Sequence, residues 1–151
     1  MAILIFGASG FLGGKLMEHY AKANKKAVGT YANNKKEGLV KFDFKNPDLK
    51  RLNLSLKDFS HAVICSSITA MDSCKIYPER TYGINVAGTK KLIFQLFEAG
   101  VTPIFVSTDY VFEGSKGNYS EQDERKPVLA YGRHKKEVRI TSWVQIRNTL
   151  S

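Results

Sequence analysis

Short apolar runs rich in β-branched residues alternate along the chain with longer segments in which apolar residues recur at helical spacing. This alternation is typical of a parallel sheet with helices on both faces. The runs predicted as strands lie at residues 3–6, 27–31, 40–42, 62–65, 104–107 and 143–147. Helices are predicted at residues 11–23, 78–99 and 128–140, and a short helical turn begins at residues 46–48. Gly100 follows the second helix, where glycine commonly forms the C-terminal cap.

Six strands joined by crossover helices make a doubly wound, Rossmann-type α/β fold, and a chain of 151 residues suffices for one such domain with a buried core. Ligands of this fold bind beyond the carboxyl ends of the strands, where the strand order reverses. The residues that directly follow each strand are therefore the candidates for chemistry. Residues 113–127 form the only long irregular segment that the sequence predicts, and a loop of that length is usually functional.

Composition narrows the class of protein. Apolar residues make up 43% of the chain and charged residues 25%, and no apolar run reaches the roughly 20 residues of a membrane helix. The N-terminal apolar run has no basic residue before it, which indicates a first strand and not a secretion signal. A soluble, cytoplasmic protein is expected. Cys65 and Cys74 have no metal-ligand spacing, so thiols are predicted in place of a disulfide, and no metal site.

The net charge of +9 includes several lysine pairs that are spread along the chain. Such pairs are more typical of solvated helix ends than of a nucleic-acid-binding stripe, and no aromatic platform is interleaved with them. No nucleic-acid partner is therefore predicted. An anionic ligand, such as a dinucleotide or a nucleotide sugar, fits the same charge.

Three glycines follow the first predicted strand in the segment G-A-S-G-F-L-G at residues 7–13. Glycines at such a junction let the backbone turn into a helix while its amide groups stay open to a pyrophosphate. The spacing is one residue off the G-x-G-x-x-G fingerprint, so a tight turn without a ligand is the alternative, but the position after the first strand favours a dinucleotide site. The predicted cofactor-binding residues here are Gly7, Ser9, Gly10, Phe11, Leu12 and Gly13.

The second predicted strand ends in T-Y-A-N-N-K-K at residues 30–36, where an NAD enzyme would offer an acid to the adenosine ribose. No acid is present in this segment. Tyr31, Asn33 and Lys35 would instead accept a 2′-phosphate, so NADP(H) is preferred and NAD(H) stays open as the alternative. Lys35 could also be an ordinary solvated lysine.

Two further strand ends complete the predicted cofactor site. Asp43 and Phe44 follow the third strand, where they are placed to meet the adenine. The small residues Cys65, Ser66 and Ser67 end the fourth strand beside the cofactor.

Tyr131 and Lys135 lie four residues apart in a predicted helix, which puts both side chains on one face. A phenol is a poor acid–base group at neutral pH, but an adjacent ammonium stabilises its phenolate and lowers its pKa. Such a pair can protonate a carbonyl oxygen as a hydride arrives. The spacing alone is weak, and its value comes from its position one helix after the fifth predicted strand.

The segment S-T-D-Y-V-F-E-G at residues 107–114 resembles the hallmark of dTDP-4-dehydrorhamnose reductase and its relatives among the extended short-chain dehydrogenases. The glycine loop, the stretch N-V-A-G-T at residues 85–89, and the stretch from Pro127 through Tyr131 to Lys135 occur in the family's order. The resemblance covers essentially the whole chain.

The resemblance implies a reduction, by NAD(P)H, of the keto group of a nucleotide-activated sugar. Thr108 would bind the substrate carbonyl, Tyr131 would donate the proton, and Lys135 would lower the tyrosine pKa and hold the nicotinamide ribose. Asn85 matches the asparagine that supports this lysine, and the alternative is an ordinary polar helix residue. Asp109 and Tyr110 would contact the sugar, although Tyr110 could also be a surface aromatic.

The chain departs from the family's pattern in two places. Residues 66–74 are S-S-I-T-A-M-D-S-C, where the family commonly has two alanines, an aromatic residue and V-D further on, so the identity of the sugar substrate stays open. Family members continue for about as many residues again, so residues 1–151 are expected to be the cofactor-binding domain without the C-terminal substrate-binding domain. Dimerisation would cover the exposed substrate face. The alternative function is a non-catalytic, NADP-binding regulatory module that resembles the regulatory subunit of methionine adenosyltransferase.

Overall fold

The computed structural model describes residues 1–149 and the side chains of residues 1–139. Within this range the chain divides into two compact units. The first unit consists of residues 1–67 and 91–106, and the second consists of residues 68–90 and the chain from residue 107 onward. None of the described helices is long and apolar enough to cross a membrane.

The first unit contains a parallel sheet of five strands among the described residues, in the order β3-β2-β1-β4-β5. The strands are β1 (Ala2–Phe6), β2 (Ala27–Tyr31), β3 (Val40–Lys41), β4 (Phe59–Ile64) and β5 (Thr102–Phe105). The strand order reverses between β1 and β4, since the chain proceeds outward from β1 to β3 and then returns to the other side. This is the doubly wound arrangement that the hydrophobic pattern predicts, and ligands of such folds bind at this reversal.

The central strand β1 is apolar along its whole length because sheet neighbours flank it and side chains cover it. Leu4, Ile5 and Phe6 are fully buried. Helix α1 (Phe11–Lys22) packs Leu16 and Met17 against the core that contains Ile5. A continuous apolar run is the sequence pattern of a strand buried on both faces.

One predicted helix that begins in the second unit is divided in the structure. A single helix was expected at residues 78–99. The structure has three consecutive elements there, which are α3 (Pro78–Tyr82), a π-helical turn (Gly83–Gly88) and α4 (Thr89–Glu98), and α4 continues into the first unit. A further helix, α2 (Met71–Ile76), has no counterpart among the predicted elements. Proline at the first position of α3 explains its separate start, because that position needs no amide donor.

The prediction of a sixth strand at residues 143–147 is wrong. The backbone there belongs to helix α5 (Ala130–Thr149), so five strands stand where six were expected in the described chain. Residues 144–147, V-Q-I-R, alternate as a strand does, but four residues are too few to separate a period of 2 from one of 3.6. No glycine or proline between residues 133 and 149 interrupts the helix that begins upstream.

Candidate functional site

The glycine loop of the first unit is built by close backbone packing. Gly7 has a φ of 85°, and a Cβ atom on it would lie 2.8 Å from the amide nitrogen of Ser66. A Cβ atom on Gly13 would lie 2.8 Å from Cα of Ala8. Both distances are shorter than side chains tolerate, so the sequence spacing reflects a steric requirement of this turn.

Helix α1 begins at this loop with its amide groups uncapped. No side chain accepts a hydrogen bond at the N-cap residue Gly10, and the first turn contains no acidic residue. The side chain of Phe11, the first residue of α1, is 86% exposed and does not cover the first turn of the helix. An uncapped helix N terminus carries a partial positive charge and free N–H donors, so it suits an anion such as a pyrophosphate.

Thr30 is a functional candidate that the sequence analysis missed. Its hydroxyl accepts a hydrogen bond from the amide of Gly7 at 3.3 Å, and its carbonyl accepts one from the amide of Ala8 at 2.8 Å. The side chain is buried at the end of β2. Thr30 therefore fixes the conformation of the glycine loop, and a polar residue at the end of an otherwise apolar strand was the available signal.

The other predicted cofactor residues of the first unit differ in accessibility. Asn33 and Lys35 lie exposed in the segment after β2, and Tyr31 and Ser9 are half-buried. Leu12 is exposed on α1. The acid-free segment after β2 is thus on the surface, where its side chains are free to meet a ligand.

The third strand end presents one accessible side chain and one buried one. Phe44 is 4% exposed and packs edge-on against Phe42, with ring centroids 5.3 Å apart, and against Phe6 at 6.0 Å. Its side chain therefore belongs to the core, and only its backbone is left for an adenine. Asp43 is exposed, and its Oδ1 accepts a hydrogen bond from the amide of Lys45 at 2.8 Å.

The fourth strand end supports the glycine loop. The amide of Cys65 donates to the carbonyl of Phe6 at 2.9 Å, which extends the pairing of β4 with β1. Ser66 supplies the backbone against which Gly7 packs. Cys65, Ser66 and Ser67 are all half-buried, as small residues beside a ligand would be.

Thr108 and its neighbours form a turn in the second unit. The Thr108 hydroxyl accepts a hydrogen bond from the amide of Tyr110 at 3.3 Å and donates one to Oδ1 of Asp109 at 3.0 Å. A single 3₁₀ turn (Asp109–Val111) follows, and Asp109 and Tyr110 are exposed. Ser107, which precedes the turn, has a buried hydroxyl oxygen without a hydrogen-bond partner among the described residues.

Tyr131 and Lys135 lie on the buried face of α5, at 8% and 3% exposure. The Lys135 Nζ lies 5.7 Å from the centre of the Tyr131 ring. The ring of Tyr110 approaches Tyr131 edge-on, with centroids 6.3 Å apart. The structure thus brings together the phenol, the ammonium and the turn that carries Thr108.

Gly132 makes this approach feasible. A Cβ atom on Gly132 would collide with the carbonyl oxygen of Tyr110 and lie 2.9 Å from its carbonyl carbon. Any larger residue would push the turn of Thr108 away from α5. The glycine after Tyr131 is a second residue that the sequence analysis did not select.

Asn85 lies in the π-helical turn, where it is 2% exposed. Its Oδ1 accepts a hydrogen bond from the amide of Ile68 at 2.8 Å, and its Nδ2 donates one to the carbonyl of Ile68 at 2.9 Å. Its Nδ2 also lies 3.5 Å from Nδ1 of His134 on α5. Asn85 is therefore a structural clamp for residue 68, and its proposed support of Lys135 stays a prediction.

His134 connects this clamp to α5. The imidazole packs edge-on against the Tyr82 ring, with centroids 5.7 Å apart. Burial lowers the pKa of His134, the Arg133 charge lowers it further, and the Glu137 carboxylate opposes both. With His134 neutral, Nδ1 can accept a hydrogen bond from Asn85.

We expect the free energy of unfolding to decrease as the pH falls below about 6.5, the ordinary pKa of histidine. The unfolded chain binds a proton there before folded His134 does, so stability is lost down to the folded pKa and then levels off. His134→Gln should reduce this pH dependence, because glutamine keeps an acceptor but does not titrate. Urea unfolding at a series of pH values measures the effect. His19→Gln, at an exposed position of α1, is the control for the loss of one histidine side chain outside the second unit.

The loop at residues 113–127 is ordered by its own side chains. The Tyr119 hydroxyl accepts hydrogen bonds from the amides of Gly114 at 3.0 Å and Lys116 at 3.2 Å, and its ring stacks on Phe112 with centroids 4.6 Å apart. The Lys116 ammonium, with the amide and hydroxyl of Ser120, lowers the pKa of Asp123 to about 2. The loop predicted to be functional is thus a compact surface structure.

Comparison with known proteins agrees with this fold. Residues 1–144 match the model of the RmlD substrate binding domain family. The chain is 29% identical over 136 residues to methionine adenosyltransferase 2 subunit beta of Rattus norvegicus, which covers 88% of this chain and 40% of that protein. It is 36% identical over 86 residues to dTDP-4-dehydrorhamnose reductase of Sinorhizobium fredii, which covers 55% of this chain and 29% of that protein.

A solved structure with a similar name also has a similar fold. The crystal structure of a hypothetical dTDP-4-dehydrorhamnose reductase from Sulfolobus tokodaii superposes with a TM-score of 0.82 and 30% sequence identity, over 93% of this chain and 51% of that chain. The chain thus spans less than half the length of the curated relatives named above and about half of this structure. Because the family model matches nearly all of its residues, the chain belongs to the RmlD substrate binding domain family.

Proposed function

We propose that this chain binds NADP(H) and carries the proton-donating residues for reduction of the keto group of a nucleotide-activated sugar. The observation that supports this proposal most is the buried pair Tyr131 and Lys135, which lies against the turn of Thr108. The family match and the similarity to a dTDP-4-dehydrorhamnose reductase support the same reaction. Residues 1–151 would be the cofactor-binding domain, and a separate C-terminal domain would bind the sugar.

Features of the first unit support the proposed binding of the cofactor. Gly7 and Gly13 leave no space for a side chain, and the uncapped start of α1 presents amide donors to a pyrophosphate. We propose that the loop at residues 7–13 holds the pyrophosphate and that Asp43 and the small residues 65–67 contact the rest of the dinucleotide. Tyr31, Asn33 and Lys35 would bind the adenosine end, where Lys35 favours NADP(H) over NAD(H).

The second unit supplies the proposed acid–base residues. Thr108 would hold the substrate carbonyl oxygen, and the Tyr131 hydroxyl would donate a proton to that oxygen. The cofactor, when bound, supplies the hydride for the carbonyl carbon. Lys135 would stabilise the phenolate left on Tyr131 until solvent returns the proton, because an adjacent ammonium favours the charged form. Asp109 and Tyr110, both exposed, would contact the sugar.

A titration of the chain with NADPH, followed by nicotinamide fluorescence, tests the cofactor proposal. We expect saturable binding of NADPH that is tighter than that of NADH. Lys35→Gln should weaken NADPH binding roughly tenfold, the effect of losing one charge-assisted hydrogen bond to the 2′-phosphate, and leave NADH unchanged. Lys41→Gln, an exposed lysine on β3, is the matched control. Absence of binding at roughly millimolar cofactor would contradict the proposal.

A second candidate function is a non-catalytic regulatory module, and the similarity to methionine adenosyltransferase 2 subunit beta supports it. Under this hypothesis the chain binds NADP(H) and associates with a methionine adenosyltransferase catalytic subunit. Sedimentation velocity of this chain mixed with such a catalytic subunit distinguishes the two functions, because a complex of the two proteins is expected only if the chain is a regulatory module. The same measurement on the chain alone tests the proposed homodimer, which a pure monomer would contradict.

A further inference from the structure

A cluster of cationic side chains in the second unit lies apart from the proposed proton-donating residues. It surrounds a pocket of about 500 Å³ formed by the segment before α5 and the first turns of α5. We call it the α5 basic pocket. It is lined by four cationic side chains and two carboxylates, which are Arg125, Lys126, Arg133, Lys136, Glu124 and Glu137.

Both carboxylates of the α5 basic pocket are already engaged. Oε2 of Glu124 lies 2.9 Å from the Lys126 ammonium, and this contact raises the pKa of Lys126. Oε1 of Glu137 accepts hydrogen bonds from Lys90 at 2.7 Å and from the Tyr82 hydroxyl at 2.8 Å. Burial opposes ionisation of Glu137, but these hydrogen bonds outweigh it and lower its pKa. Glu137 therefore stays ionised, with its charge directed to Lys90.

The other three cations bind backbone carbonyl groups, and no carboxylate pairs with them among residues 1–139. Arg125 Nη2 donates to the carbonyl of Glu121 at 3.0 Å, and Lys136 Nζ donates to that of Arg125 at 2.8 Å. Arg133 Nη1 donates to the carbonyl of Val128 at 2.6 Å. A guanidinium has five N–H donors, so one carbonyl leaves most of them available.

Arg125 adds an observation that is independent of the charge of the α5 basic pocket. Its Nε is buried, and no acceptor lies within hydrogen-bond distance of it among the described residues. Buried donors are nearly always satisfied in folded proteins, and an orphan often marks the place of an ion or a water molecule. Arg125 is also a lining residue of the α5 basic pocket, so the side chain with this unsatisfied donor belongs to a cluster with an excess of positive charge.

The α5 basic pocket is on the opposite side of α5 from the proposed catalytic pair. Arg133 follows Tyr131 by two residues, which is a rotation of roughly 200° around the helix. Lys136 follows Arg133 by three residues and shares its face. Burial agrees with this geometry, because Tyr131 and Lys135 are buried whereas Arg133 is exposed.

We propose that the α5 basic pocket binds a phosphate group. Two guanidinium groups match the oxygens of a phosphate in paired hydrogen bonds, and Lys136 adds a third cationic donor. The pocket volume exceeds a single phosphate, so the group can belong to free phosphate or to a small phosphorylated metabolite. This site is independent of the proposed cofactor loop and of the proposed reduction.

An NMR titration of the ¹⁵N-labelled chain with inorganic phosphate, at ionic strength held constant with chloride, tests the proposal. We expect saturable shifts of the amide signals of residues 121–137. Arg133→Gln, at an exposed position, should raise the Kd at these residues roughly tenfold, while Lys41→Gln removes the same charge elsewhere and should not. O-phosphoserine in place of phosphate shows whether a phosphorylated metabolite binds more tightly.

Arg125→Lys is the second variant, because it keeps the charge and removes the paired donors of the guanidinium group. It should also raise the Kd for phosphate at residues 121–137. Signals of residues 7–13 report phosphate binding at the glycine loop and should be unaffected by either variant. Shifts that grow linearly without saturation, or a Kd that neither Arg133→Gln nor Arg125→Lys changes, would overturn the proposal.

Discussion

Gly13→Ala should destabilise the chain by about 1–3 kcal/mol and weaken NADPH binding by about 100-fold. The added Cβ atom would lie 2.8 Å from Cα of Ala8 and from the carbonyl carbon of Gly7. Both are backbone atoms of the glycine loop, so relief of the clash must move the loop itself. The amide groups proposed to hold the pyrophosphate move with it. Urea unfolding measures the first effect, and the nicotinamide fluorescence titration measures the second.

Gly14→Ala is the matched control on the same helix. A Cβ atom there would lie 3.5 Å from the carbonyl oxygen of Ala8, an ordinary van der Waals distance. Because alanine favours helices over glycine by about 1 kcal/mol, this variant should be as stable as the parent chain or more so. It should also keep NADPH affinity. Equal NADPH binding by Gly13→Ala and Gly14→Ala would contradict the proposed role of the loop.

The fold was predictable where the hydrophobic pattern, the turn residues and the helix periodicity all indicated the same element. The strand β1 is apolar throughout, and a glycine loop and an amphipathic helix follow it, so local and global preferences agree. The predictions of a parallel sheet and of a relationship to dTDP-4-dehydrorhamnose reductases are confirmed. At residues 143–147 the signal was weak and the prediction failed. The short apolar run there is helical, because no residue ends the helix that begins upstream.

The candidate site was only partly predictable, because contacts between distant segments leave little trace in one sequence. The pattern placed Phe44 at a strand end but could not show that Phe6 and Phe42 surround its ring. The spacing of Tyr131 and Lys135 predicted one helix face. It could not show that Gly132 is needed for the approach of residue 110, since this depends on a backbone carbonyl more than twenty positions away.

The π-helical turn also escaped prediction, and Asn85 provides a physical reason for its position. An amide side chain with both ends bonded to the backbone of Ile68 holds the helix at that point. Thr89 adds a hydrogen bond from its hydroxyl to the carbonyl of Ile84 at 3.2 Å, five residues back. Side-chain bonds of this kind compete with the regular α-helical pattern.

Asn85→Ala should lower the free energy of unfolding by about 2–4 kcal/mol, because both backbone groups of Ile68 lose their partner at a partly buried position. The same change removes the contact between Nδ2 of Asn85 and His134, which is next to Lys135 in the sequence. We therefore expect the loss to extend from residue 68 to the start of α5. Urea unfolding measures the stability.

Amide hydrogen exchange locates the effect within the second unit. In the parent chain the amide of Ile68 should be protected by its bond to Asn85, and in Asn85→Ala it should exchange far faster. Asn34→Ala, at an exposed position, is the control and should change stability by less than about 0.5 kcal/mol. If Asn85→Ala left both the exchange of Ile68 and the unfolding free energy unchanged, the clamp would not stabilise the turn, and Asn85 would act only on Lys135. Faster exchange at Ile68 with unchanged exchange on α5 would confine the role of Asn85 to the segment after β4.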